Sequence, residues 1–382
     1  MNKPSLAPRF LYIFCIAYAV NLILDAGGSL LPFLSMGMIG LGLIFGLNSV
    51  AGKSYAGIIL LITLIFPLAA INSIISTNPT DTSLKWILWL AALLGMFLMA
   101  QRSGPSVDED LCKKTALAFF IIWLFLVIKG NALDETSKDS TKSLHLSAFY
   151  ANLLISSALF LPNKFLRVIF VLIGVVGALT SGSRAAFLFL PLVFLPSFVY
   201  YYKAKISSIV MIVLLVVALY FIIQNETLNA LTFGRKGAEI NTLDSIELAQ
   251  KSGSGRAELR QIGIDYIKQK PFGYGYGQSF EIILEGKSMG NNLHNGYLNV
   301  ATQMGVHIFL LYMAFLFWIY YQLANNERIS RRFRFFTLSI LSCVFLRAVS
   351  ESFSLFDLGH PAAFFSIFLI SLFVTRLRSH RS

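Results

Sequence analysis

The feature that most constrains this chain is a series of long apolar stretches that recurs along most of its length. The hydrocarbon core of a bilayer is about 30 Å thick, and a helix needs about 20 apolar residues to cross it. We therefore predict an all-α integral membrane protein with about twelve transmembrane helices. The predicted spans are residues 10–24, 30–50, 55–75, 84–101, 115–129, 144–161, 166–181, 185–202, 206–224, 304–323, 335–349 and 361–375.

The composition agrees with a chain that has lipid as its main solvent. Of the 382 residues, 56% are hydrophobic and only 13% are charged, whereas about 25% of the residues in a soluble domain are charged. A net charge of +12 on a soluble protein would point to nucleic acid. Cytoplasmic loops of membrane proteins also collect Lys and Arg, so we expect contact with membrane lipid and none with nucleic acid.

The positions of the basic residues predict the orientation of the chain. With a cytoplasmic N-terminus, the cytoplasmic segments hold 17 Lys and Arg residues, against 5 in the short outer loops and the adjoining helix ends. Such an excess marks the cytoplasmic side. We therefore predict a multi-pass membrane protein with both termini in the cytoplasm.

One long polar segment, residues 225–303, interrupts the apolar pattern and divides the chain into three parts. Residues 1–224 hold the first nine predicted helices, 225–303 form a large periplasmic loop, and 304–382 hold the last three helices and a cytoplasmic tail. Within the loop we predict a helix at 255–270, a Gly-rich turn at 271–277 and a second short helix at 278–286. A further helix, which leads back into the membrane, is predicted to begin near His294.

Three groups of polar residues on the predicted outer face could carry chemistry. Arg184 opens a helix, where backbone N–H groups and a guanidinium suit a phosphate, although an arginine at the membrane surface can also simply reach into water. Arg256 and Arg260 lie one turn apart at the start of the loop helix, or else on a solvated face. His294 could accept a proton near neutral pH, although a single histidine can also be structural.

Two other polar features have structural explanations. Arg347 and Glu351 are spaced i,i+4 near the outer end of the eleventh predicted span, and we interpret them as an ion pair that stabilises the bundle. The glycines of Gly273-Tyr274-Gly275-Tyr276-Gly277 lack the strand and helix that flank a nucleotide-binding loop.

Taken together, the polar groups resemble a known family. Many spans, then "SGSRAA" at a helix start, "GR" opening a loop helix that ends in "P-x-G-x-G", and "HN" before the next span are similar to the O-antigen ligase and polymerase family. The detailed resemblance covers roughly residues 166–323. It implies a glycosyltransferase with a GT-C-like fold that uses sugars linked to a lipid diphosphate.

The resemblance also implies roles for individual residues. Arg184 and Arg256 would hold the diphosphate of an undecaprenyl carrier, and His294 would be the general base that activates the acceptor hydroxyl. Arg260 and Asn295 are further candidates for substrate binding. Many GT-C enzymes hold a divalent metal with an acidic pair in an early outer loop, but the first outer loop here offers only Asp25, so we expect no metal and no cofactor.

The function that we predict is ligation of O-antigen polysaccharide from undecaprenyl diphosphate to a sugar of the lipid A core. A polymerase of the same family, which extends a lipid-linked repeat unit of O-antigen or capsule, is the alternative. A polysaccharide flippase or other transporter is a third possibility. Transporters often show internal repeats and polar residues at the bilayer midplane, neither of which we find in this sequence.

Overall fold

The computed structural model describes residues 56–102, 108–132, 138–181, 184–202, 256–278, 283–284, 287–288, 293, 295–351, 354–357 and 361–379. These residues are helical apart from turns and one short hairpin. The helices are α1 (Ala56–Ile74), α2 (Pro79–Arg102), α3 (Asp108–Ala132), α4 (Lys138–Ala158), α5 (Lys164–Thr180), α6 (Arg184–Tyr202), α7 (Arg256–Gln269), α8 (Gly296–Met304), α9 (Val306–Asn325), α10 (Arg331–Ser350) and α11 (Pro361–Ser379).

Nine of the twelve predicted spans coincide with described helices, and the other three, at 10–24, 30–50 and 206–224, lie outside the described residues. Among the described helices, three are long and apolar enough to cross a membrane by length and composition alone. These are the stretches Pro79–Ala100, Glu109–Gly130 and Val306–Asn325. The predicted all-α fold is therefore confirmed for the described residues apart from the short hairpin, and three helices are candidate membrane spans. The count of twelve and the periplasmic position of the loop stay predictions.

The described helices form a bundle in which α4 and α10 are central. Helix α4 packs against α3, α5, α6 and α10, while α10 also packs against α6, α8, α9 and α11. Aromatic side chains fill the space between them, including the fully buried Phe119, Tyr150, Phe336 and Phe365. Small residues bring helices close in membranes, and a Cβ at Gly177 of α5 would lie only 2.5 Å from the indole nitrogen of Trp123.

Loops that the sequence places on one side of the membrane contact each other. At one end of the bundle, the start of α3 meets the start of α10 through an ion pair between Glu109 and Arg332. At the opposite end, the backbone N–H of Thr77, between α1 and α2, donates to the carbonyl of Tyr274 over 3.1 Å. We call this second end, where residues 271–278 and the start of α8 lie, the loop end.

The predicted secondary structure of the loop is partly wrong. Helix α7 and the following turn lie where the sequence predicts them. The second short helix at 278–286 is an error, because Ile283–Leu284 (β1) and Lys287–Ser288 (β2) pair as antiparallel strands, with Leu284 opposite Lys287. Two residues, the second of them Gly286, separate these strands, and such a short Gly-containing connection is a hairpin signal that the helical interpretation overlooked.

The Gly-rich turn is seated on the connection between α1 and α2. Gly275 has φ +116°, and a Cβ there would lie 2.1 Å from the hydroxyl oxygen of Ser76. The buried amide of Asn72 accepts from the N–H of Tyr276 and from the Trp86 indole, each over 3.0 Å. Its Nδ2 donates to the carbonyl of Gln303 over 3.1 Å, so one side chain joins α1, α2, the turn and α8.

Candidate functional site

Helix α6 is aligned with α10 in a way that fixes the height of Arg184 in the bundle. The two helices run antiparallel, since Arg331 donates to the carbonyl of Val199 over 3.0 Å and Ser339 donates to that of Val193 over 3.3 Å. From Ser339, eight further residues of α10 at 1.5 Å each extend about 12 Å. From Val193, the nine residues back to Arg184 extend about 13.5 Å in the same direction. The first residue of α6, Arg184, therefore lies at the loop end, level with the last turn of α10.

Helix α8 is docked onto that same last turn of α10. Asn295 caps α8, because its Oδ1 accepts from the N–H of Leu298 over 3.0 Å, and its Nδ2 donates to the carbonyl of Val349 over 3.2 Å. The Tyr297 hydroxyl donates to the carbonyl of Phe345 over 3.0 Å. His294 directly precedes Asn295 in the chain, and Asn295 is fixed against α10.

Helix α7 reaches the same region through a small apolar contact. Leu259 and Leu293 are both buried and pack together, with Ile262, Tyr266 and Leu298 around them. Leu259 lies three residues after Arg256, within one turn of the helix, and Leu293 directly precedes His294. The packing therefore brings the first turn of α7 to the segment that carries His294.

Three helix N-termini converge as a result. Helices α6, α7 and α8 begin at Arg184, Arg256 and Gly296, and the contacts above place all three beginnings at the loop end. A helix N-terminus carries a partial positive charge and free N–H groups, so each one favours an anion. Two of the three begin with an arginine, which makes the region a strong candidate for binding a multiply charged anion such as a diphosphate.

The extent to which the structure describes the predicted site residues differs from one residue to another. For Arg184 and Arg256 it describes the helical backbone, and their side chains lie outside the described set, as does His294 entirely. Arg260 is exposed one turn after Arg256, and Asn295 has the two contacts given above. Helix positions and the cap are thus observed, while the chemical roles of the five residues stay predictions.

Tyr297, in the first turn of α8, is a titratable residue near the cap. Burial raises the pKa of Tyr297 to about 12, because the phenolate loses hydration. The phenol is therefore protonated at any pH near neutral, which agrees with its donating a hydrogen bond to Phe345. It can orient α8 but cannot accept a proton from an acceptor hydroxyl.

An apolar groove leads along the bundle to this region. It has a volume of about 440 Å³, and α6, α8, α9 and α10 line it with Leu192, Tyr297, Phe317, Tyr320, Phe345 and Val349, among others. Phe317 is 70% exposed and Val349 is 42% exposed, so the groove opens on the outside of the described bundle. A lipid chain lying there would have its polar end close to the docked start of α8.

Sequence reasoning missed one part of the loop end. It treated residues 273–277 only as a turn, whereas Asn72 and Ser76 hold that turn in place. It also named Arg347 and Glu351 as a stabilising ion pair, and that pair is confirmed, at 3.5 Å.

Apolar candidate spans and two helices that begin with arginine at the loop end are features that a membrane protein acting on a lipid-linked anion would need. Residues 169–313 match the family model described as O-antigen ligase. The segment contains all five predicted site residues, and the match confirms the sequence-based family prediction for these residues, which are similar to the O-antigen ligase family. Members of the family are glycosyltransferase-like enzymes. No curated protein matches the chain.

The cap of α8 offers a test of how the site is held together. Asn295→Asp keeps the oxygen that caps the helix but loses the donor to Val349, while Asn295→Ala loses both. We expect Ala to lower the stability of the protein by about 0.5–2 kcal/mol. Both variants should reduce glycan transfer, because they lose one of the two hydrogen bonds that fix α8 to α10. Thermal unfolding and transfer rates measure the two effects. Full transfer by Asn295→Asp would show that the contact with Val349 does not position the site.

Proposed function

We propose that this protein is an O-antigen ligase of the bacterial inner membrane, which transfers a polysaccharide from undecaprenyl diphosphate to a sugar hydroxyl of the lipid A core. The observation that carries the proposal is the convergence of the three helix N-termini within the segment that matches the family. Both termini would be cytoplasmic and the loop end periplasmic. The contacts between loops at each end of the bundle support that arrangement.

The carrier would occupy the site in two parts. Its apolar chain would lie in the groove between α6, α9 and α10, which is apolar and exposed among the described helices. Its diphosphate would lie at the starts of α6 and α7, where Arg184 and Arg256 supply bidentate donors that fit phosphate oxygens. Arg260 and Asn295 would contact the substrates next to it.

The transfer reaction assigns one task to each group. The acceptor oxygen forms a bond to the anomeric carbon of the first sugar, while the bond from that carbon to the phosphate oxygen breaks. The electron pair of the broken bond stays on the diphosphate, whose growing negative charge Arg184 and Arg256 stabilise. The proton of the acceptor hydroxyl passes to His294.

Purified protein with defined substrates tests this function against its alternatives. With a lipid-linked polysaccharide as donor, we expect glycan to appear on added lipid A core. If the donor glycan is instead extended only on a second lipid-linked repeat unit, the protein is a polymerase. If no glycosidic bond is made with either acceptor and the lipid-linked glycan crosses a vesicle bilayer, the protein is a transporter.

We expect transfer to continue in the presence of EDTA. The positive charge that other glycosyltransferases obtain from a metal ion would come here from the arginines and helix N-termini. The measurement is the transfer rate of purified protein before and after dialysis against the chelator. Loss of activity that returns with Mg²⁺ or Mn²⁺ would contradict an arginine-only site.

A further inference from the structure

A second apolar space, a cavity, lies between α1, α2, α9 and α11. It has a volume of about 250 Å³, and its walls include Trp86, Trp89, Tyr312 and Ile370. Each of these four residues is at most 6% exposed, so the cavity is set into the bundle. The residues that line it are all aliphatic or aromatic, and an occupant must therefore be apolar.

The cavity and the groove assigned to the donor lie on opposite sides of α9. Leu311 and Phe315 line the cavity, whereas Met313 and Phe317 line the groove. Each member of the second pair follows one of the first by two residues, which places the two pairs about 160° apart around the helix. Leu311 is 54% exposed, so the cavity opens beside it on the outside of the described bundle.

Aromatic and polar groups lie on the loop-end side of this opening. His307 is one turn before Leu311 on the same face of α9, and its ring centre lies 5.5 Å from that of the exposed Phe272. Both ring nitrogens of His307 are buried without a hydrogen-bond partner among the described residues, an arrangement that calls for a partner such as water or a ligand. Lys270, on the same turn as Phe272, is exposed and adds positive charge. A lipid with its chain in the cavity would thus have an anionic headgroup beside complementary groups.

The distance from the opening to the proposed reaction centre suits the acceptor lipid and not the donor. The nine residues of α8 separate His307 from Asn295 and extend about 13.5 Å. The first sugar of the donor is bonded directly to its diphosphate, so the donor lipid must bind at the reaction centre. In the acceptor, core sugars separate the lipid from the hydroxyl that reacts, so that lipid must bind some distance away.

We propose that the cavity binds an acyl chain of the acceptor lipid, with the headgroup beside Phe272, His307 and Lys270 and the core sugars extending along α8 toward its start. The inference rests on the proposed function. The two lipid substrates would bind on opposite sides of α9, so neither would block the other, and their glycans would meet at the loop end.

Transfer kinetics of the purified protein test the cavity. Leu311→Trp places a bulky ring at its opening, so we expect the apparent KM for lipid A core to rise at least tenfold while that for the lipid-linked donor stays unchanged. Val349→Trp, in the groove on the other side of α9, should raise the KM for the donor alone. Leu172→Trp is the matched control, because Leu172 is similarly exposed, at 58%, on the separate helix α5. An unchanged KM for lipid A core in Leu311→Trp, or an equal rise in Leu172→Trp, would contradict the inference.

Quenching of tryptophan fluorescence measures binding without requiring transfer. Trp86 and Trp89 line the cavity, and replacing the other two tryptophans of the chain, Trp123 and Trp318, with Phe leaves these two as the emitters. In phosphatidylcholine vesicles, we expect lipid A core with brominated acyl chains to quench them saturably, and unlabelled lipid A core to reverse the effect. Equal quenching by brominated phosphatidylcholine at the same mole fraction would mean that ordinary bilayer lipid fills the cavity, and the inference would be wrong.

The two measurements separate the inference from the proposed function. Transfer of glycan to lipid A core without saturable quenching rejects the cavity as the acceptor site and leaves the ligase function in place. Saturable quenching without transfer to lipid A core supports the lipid site and rejects ligation.

Discussion

Arg184→Ala and Arg256→Ala are each expected to lower the rate of glycan transfer by at least about 100-fold, the scale on which losing one donor to a developing oxyanion slows an enzyme. Each arginine opens a helix at the loop end, so the substitution removes the charge and leaves the helix N-terminus in place. The variants should insert and unfold like the wild type, since each substitution falls on the first residue of a helix and alanine is a good helix former.

Lysine variants at the same positions separate charge from geometry. A lysine ammonium supplies a single point of charge, whereas a guanidinium contacts two phosphate oxygens at once. We therefore expect Arg184→Lys and Arg256→Lys to recover only a small part of the activity. Near-complete recovery would mean that the site attracts the diphosphate by charge alone, and full activity in the alanine variants would rule out the diphosphate site.

Matched controls lie on neighbouring helices. Lys164 opens α5 at the end of the bundle opposite Arg184, and it is exposed. Lys268 lies in the last turn of α7, far from Arg256, and pairs with Asp265. Lys164→Ala removes a basic residue from the first position of a helix, and Lys268→Ala removes one from the opposite end of the helix that Arg256 opens. We expect both variants to transfer glycan at the wild-type rate.

The local features of the fold were predictable because they depend on short stretches of sequence. Apolar runs located nine of the described helices, and Pro271 with its following glycines located the end of α7. The hairpin of Ile283–Leu284 and Lys287–Ser288 was missed, although its two-residue spacing is also a local signal. That error shows that a polar segment with weak periodicity permits either a short helix or a hairpin.

The assembly of the site was less predictable because it depends on packing between distant segments. Asn72 and Tyr276 are 204 residues apart in the chain, and no sequence motif around either residue predicts their contact. The sequence identified Arg184, Arg256 and His294 separately, and the family resemblance joined them by order along the chain. Only the register of α6 on α10 and the packing of Leu259 on Leu293 give a physical reason for their proximity.

His294→Ala is expected to slow transfer by about 10²–10⁴-fold, the range in which general-base assistance contributes to catalysis. A sugar hydroxyl is too weakly acidic to ionise near pH 7, so a neighbouring group must take its proton as the new bond forms. An unperturbed imidazole has a pKa of about 6.5 and is largely neutral at that pH. The buried phenol of Tyr297 remains protonated and cannot substitute for it.

His294→Gln distinguishes a base from a residue that only positions the acceptor. Glutamine can hydrogen-bond a sugar hydroxyl but cannot accept its proton, so we expect it to be nearly as slow as the alanine variant. The wild-type rate should fall below about pH 6 as the imidazole becomes protonated, and that fall should be absent in His294→Gln. Because Asn295 anchors the neighbouring backbone to Val349, the substitution should leave α8 docked, which unfolding temperatures will check. A glutamine variant that transfers at the wild-type rate would reduce His294 to a positioning residue and require another base.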